Sequence, residues 1–158
     1  MKRMRKGFTL VELLIVITII GLLSTMMMIS GTDAQNSAKV TKIMEGFRSL
    51  SVAMMMYADA KPTEAAAATE ATMVTGAAEY IKNDTLFAAT AKAGVYAPVQ
   101  AGSTWWLVYI LPDKTGAIND ILGDKAKDYG LKKAADADPK KANNDYDGKD
   151  KEVYVAVF

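Results

Sequence analysis

The first third of the chain is apolar almost without interruption. Residues 8–31 read FTLVELLIVITIIGLLSTMMMISG, and Glu12 is the only charged side chain among them. As an α-helix these 24 residues, at about 1.5 Å each, would extend about 36 Å, enough to cross a hydrocarbon core of about 30 Å. The pattern therefore predicts a membrane-spanning helix.

Beyond residue 31 the pattern becomes amphipathic, and it keeps a helical period up to about residue 60. Apolar side chains recur every three or four positions, at Val40, Ile43, Met44, Phe47, Leu50, Met54, Tyr57 and Ala58. No proline interrupts this stretch before Pro62. We therefore expect a single helix from about Phe8 to about Ala60, whose first half is buried in lipid or in other subunits and whose second half packs on a small head.

The remaining residues predict a head built from short elements. A short helix is expected around residues 64–82 and an irregular one around 84–92, although the alanine-rich composition also fits a mobile loop. The strongest strand signal is TWWLVYIL at residues 104–111, and EVYVAVF at residues 152–158 predicts a terminal strand. Between them, a helix is predicted by the spacing of Ile118, Ile121, Leu122, Ala126 and Tyr129.

Two adjacent tryptophans lie inside the best predicted strand. Neighbouring residues of a strand point to opposite faces of the sheet, so Trp105 and Trp106 cannot share one face. One of them is expected in the core. The other is interpreted either as a second core residue, which is the preferred reading, or as an exposed subunit contact.

Charge is distributed unevenly along the chain. The net charge of +1 combines 19 basic and 18 acidic side chains, and Lys2, Arg3, Arg5 and Lys6 supply +4 before residue 7. The rest of the chain therefore carries 15 basic against 18 acidic side chains, a net −3. A slightly acidic chain of this kind lacks the basic surface that nucleic-acid binding requires.

The sequence contains neither cysteine nor histidine. Disulfide bonds and thiolate or imidazole metal sites are therefore excluded. The nucleophile–base pairs Cys-His and Ser-His-Asp are excluded for the same reason.

Three features coincide at the amino terminus. Residues 1–7, MKRMRKG, are basic and end in Gly7; Phe8 follows, and Glu12 lies four residues further inside the apolar segment. Basic residues on this flank alone predict that residues 1–7 stay in the cytoplasm while the remainder faces away from it.

An ionisable side chain at membrane depth is costly, by about 2.5–3.5 kcal/mol even on insertion scales, and therefore indicates a function. Cleavage after Gly7 would create a new α-amino group on Phe8. The Glu12 carboxylate of one subunit could pair with that amine on a neighbouring subunit, because a low dielectric strengthens the attraction between paired charges. Helices staggered along a fibre could repeat this contact at every subunit.

The segment KGFTLVELLIVITIIGLLS resembles the class III signal sequence of bacterial type IV pilins and type II secretion pseudopilins. The resemblance implies that a membrane-embedded prepilin peptidase cuts after Gly7, that Phe8 is N-methylated and that Glu12 directs assembly. It covers residues 1–31. Gly21 matches a glycine of the family's helix, whereas Ile29 stands where many members have proline, and the common carboxy-terminal disulfide loop is missing.

The same resemblance implies an α+β fold, the pilin ladle, in which one long amino-terminal helix packs its outer half on a small, mostly antiparallel sheet. The implied organisation is a leader at 1–7, a transmembrane or fibre-core half at 8–31, an amphipathic half at 32–60 and a head at 61–158. The implied function is structural, without a catalytic site. The subunit forms homo-oligomeric helical filaments through an assembly platform in the inner membrane, where it is held in lipid beforehand, and then reaches the cell surface.

Other interpretations of the amino-terminal segment remain open. A pseudopilin of a type II secretion system would form a short periplasmic fibre in place of a surface pilus. A membrane-anchored periplasmic module or enzyme would not polymerise at all. An ordinary secretory signal peptide or a plain anchor would leave Gly7, Phe8 and Glu12 without a role, and is disfavoured for that reason.

A calcium-binding loop is a further candidate near the carboxy terminus. Asn143, Asp145 and Asp147, followed by Gly148, match the front of such a loop, in which alternating oxygen ligands surround the cation. The bidentate glutamate expected at the end of the loop is absent, because Tyr154 stands there. A calcium site and a solvated turn are both compatible with this pattern, and the turn is preferred.

Overall fold

A computed structural model describes residues 7–81, 87–112, 116–133 and 145–158, without the side chains of residues 28–31. The described elements are α1 (Leu10–Ala60), α2 (Pro62–Ala66), α3 (Glu70–Ala78), β1 (Tyr96–Ala101), β2 (Thr104–Ile110), α4 (Ala117–Tyr129) and β3 (Glu152–Ala156). A long amino-terminal helix and a three-stranded antiparallel sheet confirm the predicted α+β, pilin-like fold.

The chain divides into two units, Met1–Asn36 and Ser37–Phe158. In the described part of the first unit, the large apolar side chains between Phe8 and Met27 are all at least 52 % exposed. The second unit contains the remainder of α1 together with the sheet and the shorter helices, and it holds the buried core.

Within the second unit, α1 buries the apolar stripe that its sequence predicts. The buried members are Val40, Ile43, Phe47, Leu50, Met54 and Tyr57, while Met44 and Ala58 pack partly buried against them. The helix ends at Ala60 because Lys61 precedes Pro62, and a residue before proline is disfavoured in the helical conformation. Lys61 accordingly has φ −135° and ψ 66°.

The sheet has the order β1-β2-β3, and both strand pairs are antiparallel. Ala101 lies opposite Thr104, so a two-residue turn joins β1 to β2. Gly102 has φ 63°, the left-handed conformation that such hairpin turns require. Beyond β3, Val157 donates its amide to the carbonyl of Trp105 at 2.8 Å, which extends the pairing with β2.

The sheet docks on α1 through an aromatic cluster. The ring centroid of Phe47 lies 5.1 Å from that of Tyr96 and 6.4 Å from that of Tyr109, in both cases edge to face. The Tyr96 hydroxyl also donates a 2.8 Å hydrogen bond to the carbonyl of Ile43 in α1. The buried polar end of Tyr96 is thereby satisfied by the helix against which its ring packs.

Both tryptophans are core residues. Trp105 is 3 % exposed and Trp106 is fully buried, so the alternative reading of one as an exposed subunit contact is wrong. Trp106 and Val108 lie on one face of β2 while Trp105 and Leu107 lie on the other, and all four are buried. The sheet is therefore covered on both faces at β2, which the strand pattern alone did not specify.

The predicted helix at 64–82 is instead two helices, α2 and α3. They are separated at Ala67–Thr69, because Thr69 caps α3: its side-chain oxygen accepts from the amide of Thr72. For the expected helix at 84–92, residues 84–86 lie outside the described residues. The described residues 87–92 are not helical, and Phe87 forms a bridge with Tyr96 of β1.

Helix α4 confirms the helix predicted from the Ile118–Tyr129 spacing. It buries Leu122 and Ala126 and ends where Gly130 adopts φ 66° in a left-handed cap. The strands β2 and β3 confirm the two predicted strands, with ends one or two residues shorter than the sequence pattern indicates.

Candidate functional site

The predicted cleavage position lies outside the helix. Gly7 and Phe8 precede α1 in a stretch without regular structure, and residues 1–6 lie outside the described residues. Gly7 is exposed, and among the described residues beyond its chain neighbours no atom would come within 4 Å of a Cβ placed on it. Phe8 is 91 % exposed. The described structure therefore leaves the Gly7–Phe8 peptide bond open to solvent or lipid.

Glu12 lies in the first turn of α1 and hydrogen-bonds to Thr9, just before the helix. Its Oε2 accepts from the Thr9 amide at 2.8 Å and from the Thr9 hydroxyl at 2.6 Å. The Glu12 amide in turn donates to the Thr9 Oγ1 at 3.3 Å. Thr9 and Glu12 thus form a reciprocal capping box, the arrangement that satisfies amide groups at the start of a helix.

Sequence analysis missed Thr9, although the sequence contained the signal. Thr9-Leu10-Val11-Glu12 matches the pattern of a hydroxyl residue followed three positions later by glutamate, before an apolar run. Glu12 therefore has a second role, as the third residue of α1, besides being an ionisable group in an apolar segment. Structure and sequence together place both residues at one helix start.

Within residues 10–27, whose side chains the structure describes, the hydroxyl groups are satisfied by their own helix. Thr18 donates to the carbonyl of Ile15, Ser24 to that of Ile20 and Thr25 to that of Leu22, at 2.7–2.8 Å. Such bonds remove the need for water around a hydroxyl in lipid. By length and composition, α1 is able to cross a membrane.

The structure describes two of the three predicted calcium ligands, since Asn143 lies outside the described residues. Asp145 Oδ1 lies 2.6 Å from Lys132 Nζ, and Asp147 Oδ1 accepts from the Lys149 amide at 3.1 Å. The hydrogen bond from Lys132 and its charge lower the pKa of Asp145. Among the described residues, no three His, Cys, Asp or Glu side chains group to hold a metal ion, and calcium binding stays a prediction.

A groove of about 470 Å³ lies between α1 and α4 in the second unit. Its walls carry Glu45 and Arg48 on α1 and Lys125 and Asp128 on α4, over apolar side chains that include Val40. Each wall thus carries one acidic and one basic side chain, and the formal charges of the four side chains sum to zero. The groove therefore offers an amphipathic surface without preference for a ligand of either charge.

Comparison with known proteins identifies a family model at the amino terminus. Residues 2–28 match the family model described as the prokaryotic N-terminal methylation motif. No curated protein and no solved structure matches the chain. The matched residues include Gly7, Phe8, Thr9 and Glu12, which together form the candidate site at the start of α1.

Proposed function

We propose that this chain is a structural subunit of a type IV pilus, because residues 2–28 match the prokaryotic N-terminal methylation motif, which type IV pilins and pseudopilins carry. It is processed in the inner membrane and polymerises into a helical surface fibre. The observation that carries the proposal is this motif, with a single carboxylate, Glu12, in the otherwise apolar segment 8–31.

Processing comes first in the proposed sequence of events. A prepilin peptidase cuts after Gly7 and methylates the new amino group of Phe8. The exposure of both residues ahead of α1 supports access by such an enzyme. The chemistry is performed on this chain by the peptidase, and we propose no catalytic role for the chain.

Assembly follows from the exposed apolar segment. The side chains between Phe8 and Met27 must be covered, first by lipid and then by the same segments of neighbouring subunits in the fibre. Full burial contributes about 1.5–3 kcal/mol for each Leu or Ile relative to water. The Glu12 carboxylate pairs with the Phe8 amine of a neighbour and sets the register between helices.

The leader fits a pseudopilin of a type II secretion system equally well, because both kinds of subunit carry it. The two differ in where the fibre ends, at the cell surface or in the periplasm. We favour the pilus, and the location of the assembled subunit decides between them.

The first experiment is intact-mass measurement with amino-terminal sequencing of the chain recovered from sheared cell-surface material. We expect a terminus at Phe8 that carries one added methyl group. Recovery of that processed form only from the periplasm would assign the chain to a pseudopilus. A Met1 terminus found only in membranes would overturn polymerisation and leave a membrane-anchored module.

A further inference from the structure

The Glu12 carboxylate is held by only one of its two oxygens. Both bonds from Thr9 end on Oε2, and within the described part of the chain no hydrogen bond to Oε1 is found. A carboxylate has acceptor capacity on both oxygens, so the box uses half of the group. The other oxygen remains available on the outer surface of a single subunit.

The box also explains how the subunit carries this carboxylate in a membrane before assembly. A charged or polar group without a partner in hydrocarbon costs several kcal/mol. Thr9 supplies two donors, a backbone amide and a hydroxyl, from the same chain. Every one of these bonds exists without a neighbouring subunit.

From this geometry we propose that Thr9 is the positioning residue for Glu12 in assembly. Thr9 fixes Oε2 against the start of α1, so that Oε1 points outward to receive the Phe8 amine of a neighbouring subunit. Assembly then adds a bond from the Phe8 amine to Oε1, and the bonds from Thr9 to Oε2 are kept. The inference rests on the proposed pairing of Glu12 with Phe8 and adds the residue that orients it.

The first test compares Thr9→Val with Thr9→Ser in the producing cells. Valine keeps the size and branching of threonine and removes its hydroxyl, whereas serine keeps the hydroxyl and serves as the matched control. We expect Thr9→Val to be cleaved after Gly7 like the parent chain but to yield about tenfold less fibre, the effect of one charge-assisted hydrogen bond. Thr9→Ser should retain at least about half of the fibre yield, because its hydroxyl restores the bond.

Glu12→Ala separates failure of this inference from failure of the proposed function. If Glu12→Ala abolishes fibres while Thr9→Val assembles normally, the positioning role of Thr9 is wrong and the assembly role of Glu12 stands. If Glu12→Ala also assembles normally, the proposed function of Glu12 is wrong.

A second measurement remains decisive if Thr9→Val blocks cleavage. The amide proton resonance of Thr9 is recorded by NMR on the full chain in detergent micelles, for the parent chain and for two Glu12 variants. We expect it downfield in the parent and in Glu12→Gln, whose side-chain oxygen preserves the box, and upfield in Glu12→Ala. An identical Thr9 resonance in all three chains would show that the box is not formed and would overturn the inference.

Discussion

Close packing of Tyr96 on α1 depends on a single glycine. A Cβ at Gly46 would lie 2.2 Å from the Tyr96 hydroxyl oxygen. A second glycine, Gly76 in α3, has the same relation to another aromatic residue: its Cβ would lie 2.3 Å from the ring of Tyr57. No real Cβ tolerates such distances, so these two positions admit no side chain unless the aromatic rings move. Glycine is needed here for its lack of volume, since neither position has a positive φ.

Gly46→Ala tests this close approach. We expect the free energy of unfolding to fall by about 1–3 kcal/mol, the cost of overpacking a filled core, and the Tm of the detergent-solubilised chain to fall with it. Gly21→Ala is the matched control, because Gly21 lies in the same helix and, apart from the adjacent helix backbone, no atom of the described residues would lie within 4 Å of its Cβ. Equal Tm values for the two variants would contradict the packing described for Tyr96.

The environment of the Tyr146 hydroxyl leads us to expect that the folded chain loses stability at high pH. Burial, followed by the charges of Asp150, Asp147 and Asp120, raises the pKa of Tyr146 to about 12. Its hydroxyl also donates a 2.8 Å hydrogen bond to the carbonyl of Asp150, which needs the protonated form.

The sign of the effect follows from proton linkage. Between the ordinary tyrosine pKa of about 10 and the folded value of about 12, the unfolded chain loses a proton that the folded chain keeps. This contribution is complete below pH 10 and disappears as the pH rises through 12. We expect the Tm to decline over this window and Tyr146→Phe to decline less steeply; an identical slope would contradict the assignment.

At the scale of elements, backbone hydrogen bonds join β3 to the short segment that follows α4. Lys132 and Tyr154 exchange two backbone hydrogen bonds of 2.8 Å, and Tyr146 donates its amide to the carbonyl of Leu131. The 2.6 Å ion pair between Lys132 and Asp145 adds a side-chain link at the same place. The Lys132 ammonium group therefore pairs with Asp145, one of the residues that the sequence pattern predicts as calcium ligands.

Asp145→Asn tests both roles of this carboxylate. We expect Asp145→Asn to have a lower Tm than the parent chain in the presence of chelator, because Lys132 loses its charged partner. The control is Asp124→Asn, at an exposed position, which should leave the Tm unchanged. If Asp145 binds calcium, millimolar calcium raises the Tm of the parent chain and not that of Asp145→Asn. Equal Tm values for the parent chain in calcium and in chelator would remove the calcium prediction.

At the scale of the whole molecule, the two units differ in how their apolar side chains are covered. The second unit buries its apolar side chains within itself, with residues such as Trp106, Met54 and Leu122 fully buried. The first unit buries none of its large apolar side chains in the described part. Its free energy therefore depends on what covers these side chains, which we propose to be lipid and then other copies of the chain.

Glu12→Ala is expected to separate processing from assembly. Cleavage after Gly7 and accumulation in the membrane should remain close to the parent level, while fibre yield should fall at least about tenfold, because no carboxylate pairs with the neighbouring amine. The control is Asp33→Ala, which removes an exposed acid from the same helix beyond the apolar run. Electron microscopy and immunoblotting of sheared material measure the outcome, and equal yields from both variants would refute the assembly role.

Much of this architecture was predictable because it rests on local patterns. The apolar run and the period of α1, the strand signals at β2 and β3 and the spacing in α4 each depend on residues close in sequence. The leader and Glu12 were recognisable for the same reason, and the spacing of Thr9 and Glu12 carries the signal of a capping box. The boundary between α2 and α3 near Thr69 was less predictable, because the same few residues can either continue one helix or end it and cap the next.

By itself, the sequence determined the long helix, its apolar first half, the leader motif and the strands β2 and β3, because hydrophobic period and the preferences of single residues act over short distances. Only the tertiary structure decided which residues meet across the head. Both tryptophans are buried because the sheet is covered on both faces, Gly46 is required because Tyr96 packs on it, and Asp145 is paired because Lys132 lies beside it. Such contacts depend on where distant segments dock, and packing in three dimensions determines that position.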